Sequence, residues 1–274
     1  MALVDVEWLR ERLGEPELVV VDCRWSLGSP GAGRRAWESS RVPGASHLDV
    51  ERDLSAPPGE GRHPLPSASV FAAVAARAGI GSSGTVVAYD EAMDGGAARL
   101  WWLLRHFGHD AALVLDGGRR AWRAAGLPLD TSPPAPPPAP DPPFVPRSRV
   151  DDVAGAREVL ERLGDPALAL IDARAAPRYR GEVEPIDPVA GHIPGAANAP
   201  FAELAPDGRF LGVDELRARL DPGPERDLVA YCGSGVTAAT VVLAAAAAGV
   251  PARLYPGSWS DWCRRGLPVA RSAP

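Results

Sequence analysis

The residue in this sequence best placed for covalent chemistry is Cys232, in Cys232-Gly233-Ser234-Gly235-Val236-Thr237-Ala238. An apolar run, Leu228–Tyr231, leads into it, and an alanine-rich helical pattern, Val236–Ala248, leads away. The cysteine therefore falls at the carboxyl end of a predicted strand, where α/β folds bind their ligands. The two glycines permit a tight curl whose backbone N–H groups converge on one point, an anion-binding nest. The positive end of the following helix adds to that field. Such surroundings favour thiolate over thiol and make a nucleophile that can attack a sulfur donor. Gly233, Gly235, Val236 and Thr237 are the expected cradle for the anion. The competing reading is a buried cysteine beside an ordinary glycine turn.

The elements that must position this loop occur twice in the chain. Val19-Val20-Val21-Asp22-Cys23-Arg24 is echoed by Ala169-Leu170-Ile171-Asp172-Ala173-Arg174, and Val42-Pro43-Gly44-Ala45 by Ile193-Pro194-Gly195-Ala196. Thr85-Val86-Val87-Ala88-Tyr89-Asp90 pairs with Asp227-Leu228-Val229-Ala230-Tyr231-Cys232. Asp116-Gly117-Gly118 with Trp122 pairs with Pro256-Gly257-Ser258 with Trp262. The runs Leu18–Val21, Val86–Tyr89, Leu168–Ile171 and Leu228–Tyr231 predict strands buried on both faces. Ser69–Ala78, Ala97–Phe107, Val213–Leu220 and Val236–Ala248 predict helices. Alternation of this kind predicts two tandem α/β domains, each a parallel sheet flanked by helices. The expected boundaries are 1–130, a proline-rich linker over 131–147, and 148–274 carrying the nucleophile. Asp90 stands at the position of Cys232 in the first half, so that copy lacks the nucleophile.

Composition narrows the function. A net charge of −6 gives no basic footprint for nucleic acid. All 29 basic residues are arginine, which removes lysine general bases and Schiff-base chemistry. The first 14 residues read as a short amphipathic helix rather than a signal peptide. The longest apolar run, Ala238–Val250, is too short to span a bilayer. Cys23, Cys232 and Cys263 form no disulfide scaffold and have no zinc spacing. The expectation is a reduced, cytoplasmic protein without membrane partner, cofactor or metal.

The loop Cys-Gly-Ser-Gly-Val-Thr-Ala, with Gly191-His192-Ile193-Pro194-Gly195-Ala196 and Gly257-Ser258-Trp259-Ser260-Asp261-Trp262, resembles the rhodanese and mercaptopyruvate sulfurtransferase family over nearly the whole chain. The resemblance implies transfer of sulfane sulfur from 3-mercaptopyruvate or thiosulfate to cyanide, a thiol or a protein, through a persulfide on Cys232. It implies that the first domain is inactive and walls the cleft. In the family an arginine of a Gly-Arg-Phe or Gly-Arg-Tyr element holds the donor anion. Of Arg174, Arg178 and Arg180, the one in Pro177-Arg178-Tyr179 matches it. Asp172 is read as orienting an arginine or capping that loop. A Ser–His–acid relay is implied for the mercaptopyruvate branch: Ser234 in the loop, with His63 and Glu51 in the first domain, Asp49 and Asp53 being the other acids in reach. The relay would protonate the enolate left when sulfur departs. The sequence departs from the mercaptopyruvate pattern at Ile186, where a second arginine is expected. It departs from thiosulfate rhodaneses at Gly233 and Ser234, which in them are usually basic. Cys23, Cys263, His47, His106, His109 and His192 are read as packing or structural residues.

Two rivals remain. A phosphatase built on the same domain fold needs an arginine six residues after the cysteine to grip phosphate, and Ala238 stands there. A non-catalytic sulfur-binding or interaction module is disfavoured by the intact loop.

Overall fold

Short β-branched runs separated by helical segments fold into two parallel sheets, described by a computed structural model over residues 2–59 and 61–271. Unit 1 comprises Met1–Ala56, Pro66–Arg149 and Asp207–Arg209; unit 2 comprises Pro57–Leu65, Val150–Pro206 and Phe210–Pro274. The expected chain-end boundaries, at Met1 and Pro274, lie outside the described residues. The amphipathic start is a helix over Val6–Arg12, capped by the Asp5 carboxylate, which accepts the Trp8 N–H at 2.8 Å.

Unit 1 contains β1 (Leu3–Val4), β2 (Leu18–Asp22), β3 (Ser46–His47), β4 (Thr85–Tyr89) and β5 (Ala112–Leu115), in the order β1-β5-β4-β2-β3. Unit 2 contains β6 (Leu168–Asp172), β7 (Ala197–Asn198), β8 (Asp227–Tyr231) and β9 (Arg253–Leu254), in the order β7-β6-β8-β9. Every pairing is parallel. Helices Ala68–Arg77 and Gly96–His106 flank the first sheet, and Val213–Leu220 and Thr237–Ala247 the second. Parallel strands need crossovers of this kind, and burial of both faces explains their continuous apolar runs.

The repeat extends to side chains. Asp22 faces Tyr89 across β2 and β4, and Asp172 faces Tyr231 across β6 and β8. Each aspartate is fully buried and grips the arginine two residues on: Arg24 Nη2 lies 2.6 Å from Asp22 and Arg174 Nη2 2.6 Å from Asp172. Each tyrosine hydroxyl accepts an N–H from the Pro-Gly-Ala turn, Val42 at 3.1 Å and Ile193 at 3.0 Å. Trp122 and Trp262 close the units, their indole N–H groups bonding Pro128 and Pro268 carbonyls at 2.9 and 2.7 Å.

Two segments depart from the simple division into halves. The proline-rich stretch, expected as a spacer, is fastened to unit 1. Phe144 is buried edge-on to Phe71, with centroids 5.8 Å apart. The Ser82 hydroxyl donates to the Pro143 carbonyl at 2.7 Å and accepts the Val145 N–H at 3.0 Å. Composition reports stiffness but not an anchor, and one phenylalanine among prolines supplies it. The second departure is Pro57–Leu65, which precedes most of unit 1 in sequence but belongs to unit 2. No helix among the described residues is long and apolar enough to cross a membrane.

Candidate active site

Strand β8 delivers Cys232 to the end of the second sheet, almost fully buried. Its Sγ accepts the N–H of Gly235 at 3.1 Å and that of Ser234 at 3.5 Å. The curl depends on Gly235, whose φ is +78°; a Cβ there would stand 2.4 Å from the Pro256 carbonyl oxygen. Helix Thr237–Ala247 follows at once, and no side chain caps it. Its first N–H groups and positive end therefore face the loop. Val236 is buried, so what it brings is backbone. The main chain of Cys232 is pinned on both sides: its N–H donates to Ser258 Oγ at 3.1 Å, and its carbonyl accepts the Trp259 N–H at 2.9 Å. The Gly233 carbonyl accepts the Ser260 N–H at 2.9 Å.

The segment 57–65 brings two side chains to this loop within unit 2. His63 Nδ1 lies 2.8 Å from Ser234 Oγ, and both residues are buried. Arg62, which the sequence reading missed, sits over the loop: its Nη2 would be 2.8 Å from a Cβ on Gly233. The same hypothetical Cβ would meet Arg178 Nη1 at 3.5 Å. Two guanidiniums therefore flank the bare backbone of Gly233. Arg62 pairs with Asp187, its backbone N–H donates to Ser260 Oγ at 3.1 Å, and its Nε is buried without a hydrogen-bond partner among the described residues. Arg178 donates to Glu184 at 2.6 Å and approaches Asp187 at 3.3 Å. Burial opposes the charge on Glu184, but Arg178 and the Asp187 and Ile186 N–H groups outweigh it and hold the carboxyl below its ordinary range. Burial pushes Asp187 the other way, upward, against the pull of Arg62. The only sequence signal for Arg62 was its place beside His63; its acidic partner lies far along the chain.

The other expected residues have partners of their own or belong to unit 1. Asp172 is committed to Arg174, whose guanidinium lies 4.7 Å from the Trp259 ring. Asp22 makes the same pair in unit 1, so Asp172 orients an arginine as part of the framework common to both units. Arg180 pairs with Glu182 at the surface, and Ile186 is exposed. Glu51 is in unit 1. Of the neighbouring acids, Asp49 accepts the N–H groups of Glu51 and Arg52 at 2.9 and 3.0 Å, and Asp53 pairs with Arg77. Cys23 and Cys263 are buried, and burial pushes both thiols up, away from the thiolate.

Unit 1 keeps the curl without the sulfur. Met93, three residues after Asp90, has φ +65° where Gly235 has +78°. The Asp90 carboxylate fills the nest, accepting N–H groups of Met93 at 2.7 Å and of Gly95 and Ala97 at 3.1 Å. Burial, then the charge of Asp90 and a hydrogen bond to it, push the Asp94 carboxyl up to about 9.

Comparison with known proteins matches both units. The rhodanese-like domain model matches residues 5–125 and 155–265. A Pseudomonas aeruginosa protein named "Probable 3-mercaptopyruvate sulfurtransferase" is 46% identical over 95% of this chain and 94% of its own. The thiosulfate sulfurtransferase of Mus musculus is 37% identical over 98% and 94%. The crystal structure of the 3-mercaptopyruvate sulfotransferase SseA from Escherichia coli superposes with a TM-score of 0.83 at 33% identity, over 94% of this chain and 98% of that one. The chain belongs to the rhodanese family and is a sulfurtransferase of two tandem rhodanese domains.

Proposed function

We propose that Cys232 carries sulfur as a persulfide, taken from 3-mercaptopyruvate in preference to thiosulfate and passed to a thiol, cyanide or a protein acceptor. The Cys232 thiolate attacks the thiol sulfur of mercaptopyruvate, forming an S–S bond. The C–S bond breaks and its electron pair remains on the departing three-carbon unit as an enolate. A proton delivered through Ser234 from His63 turns that enolate into pyruvate. The acceptor then attacks the outer sulfur, and the electron pair of the S–S bond returns to Cys232 as thiolate. Gly233, Gly235, Val236 and Thr237 offer N–H groups to the anion. Arg178 and Arg62 offer guanidiniums to the donor carboxylate, in the bidentate geometry such pairs favour. Arg62 thus compensates for Ile186. Glu51 is our choice for the acid of the relay, because of the three acids it aligns best with the family's.

The observation that carries the choice of donor is the 2.8 Å contact of His63 with Ser234. Thiosulfate leaves as sulfite and requires no proton, so this pair has a task only with the keto acid. Thiosulfate as main donor is the second reading, favoured by the presence of two guanidiniums rather than one at Gly233. Comparing kcat/KM for the two donors decides between them. We expect mercaptopyruvate to be preferred, Ser234→Ala to lose that reaction selectively, and Arg62→Ala to raise its KM. A clear preference for thiosulfate, unchanged by Ser234→Ala, overturns the choice. Residues 1–130 and 148–274 are proposed as the two domains, and three free thiols support a reducing, cytoplasmic setting.

A further inference from the structure

The Gly257-Ser258-Trp259-Ser260 element takes no part in the chemistry above, yet it bonds both the N–H and the carbonyl of Cys232. Ser258 is fully buried and has φ +54°, a left-handed conformation that side-chain-bearing residues seldom adopt. Unit 1 serves as an internal control. Its matching residue is Gly118, with φ +56°. The two N–H groups that follow make the same clamp there, Arg119 to the Asp90 carbonyl at 2.9 Å and Arg120 to the Glu91 carbonyl at 3.0 Å. Trp259 and Ser260 repeat it on Cys232 and Gly233, at 2.9 Å each. The backbone clamp is thus common to both units and demands a left-handed residue in each. Unit 1 fills that place with glycine, which adopts the conformation freely. The unit with the nucleophile bears a strained serine instead.

What the strain secures is the hydroxyl. Ser258 Oγ accepts the N–H of Cys232 at 3.1 Å and donates to the Tyr255 carbonyl at 2.9 Å. Tyr255 is itself tied to β8 through its N–H on the Ala230 carbonyl, 2.9 Å. The N–H and the carbonyl of Cys232 are both fixed to segment 255–259, which leaves its side-chain torsion as the main remaining freedom.

We propose that Ser258 is a positioning residue, whose hydroxyl holds the Cys232 main chain so that Sγ stays on the N–H groups of Ser234 and Gly235. This rests on Cys232 being the sulfur carrier. Ser258→Gly is the informative substitution, because it installs the residue unit 1 already uses and relieves strain, so the fold is not at risk. Ser258→Ala keeps the strain and removes only the hydroxyl. Both should lower kcat by about tenfold, the consequence of losing the buried hydrogen bond to the Cys232 N–H, with KM for the donor unchanged. Both should also move the pH profile of Cys232 alkylation by iodoacetamide to higher pH, while Ser258→Gly melts no lower than wild type. Wild-type kcat and an unmoved alkylation profile in Ser258→Gly overturn the proposal. So does a lowered kcat that tracks lost stability while the profile stays put. Cys232→Ser separates the two layers: turnover in that variant overturns the carrier assignment, whereas the alkylation profile tests the Ser258 contact whatever the donor.

Discussion

Replacing Gly235 by alanine should be far more damaging than the same change at Gly233, two residues away in the same loop. At Gly235 the new Cβ would stand 2.4 Å from the Pro256 carbonyl oxygen and 3.0 Å from its carbonyl carbon. Backbone atoms cannot swing aside, so the loop or the Pro256 turn must shift. The φ of +78° adds the left-handed penalty, about 1–2 kcal/mol for a side-chain-bearing residue. Moving this residue also moves the N–H that lies 3.1 Å from Sγ, the shorter of the two sulfur contacts. A hydrogen bond to a charged group contributes about 1.5–3 kcal/mol, which corresponds to a loss of roughly tenfold to a hundredfold in rate. At Gly233 the φ is not positive, and the nearest atom to a Cβ is the mobile tip of Arg62 at 2.8 Å. Gly233→Ala should therefore fold with near wild-type stability and show mainly a raised donor KM as Arg62 is displaced. Thermal unfolding and steady-state kinetics with mercaptopyruvate measure both effects. Gly235→Ala with stability and kcat within about twofold of wild type would refute the steric reasoning.

Incubation with a donor should add one sulfur, located by mass spectrometry on the Cys232 peptide. Cys23→Ala and Cys263→Ala should retain turnover, with modest losses of packing stability. Asp90→Ala should leave most activity intact, whereas isolated residues 148–274 should lose it, since segment 57–65 with Arg62 and His63 is absent; an active isolated half contradicts this. Asp94, raised from 3.8 to about 9, keeps a proton in the folded state that the unfolded chain releases. Its contribution therefore reduces stability as pH rises from about 4 to about 9. Asp94→Asn should be more stable than wild type at pH 8, with the difference closing towards pH 4; denaturant unfolding at the two pH values checks it.

The parallel sheets were legible in the sequence because strands buried on both faces read as unbroken apolar runs, and the strand-end place of Cys232 because such a run leads straight into it. The limits of the four helices flanking the sheets came within about one residue, as fraying ends allow, whereas the helix expected over the first 14 residues is confined to Val6–Arg12 behind the strand Leu3–Val4. Arg62 was not legible. Its partner Asp187 and its neighbour Gly233 are remote in sequence, and no periodicity marks an arginine that reaches across a loop. The assignment of 57–65 to unit 2 escaped for the same reason: chain order predicts neighbours, and this segment packs against its order. Asp172 was legible as the orienter of an arginine, and the matching Asp22–Arg24 pair in unit 1 marks that contact as framework.

The carboxylate that fills the first unit's nest has a consequence in covalent geometry. Counting bonds outward from Cα, an aspartate oxygen stands where the outer sulfur of a cysteine persulfide stands. Asp90 is therefore a permanent stand-in for the charged cargo, and unit 1 is built in the likeness of a loaded carrier. One of its oxygens takes the Met93 N–H and the other those of Gly95 and Ala97, at the mouth of helix Gly96–His106. In unit 2 the corresponding mouth belongs to helix Thr237–Ala247. On the proposed persulfide, that mouth is where the outer sulfur of Cys232 would lie.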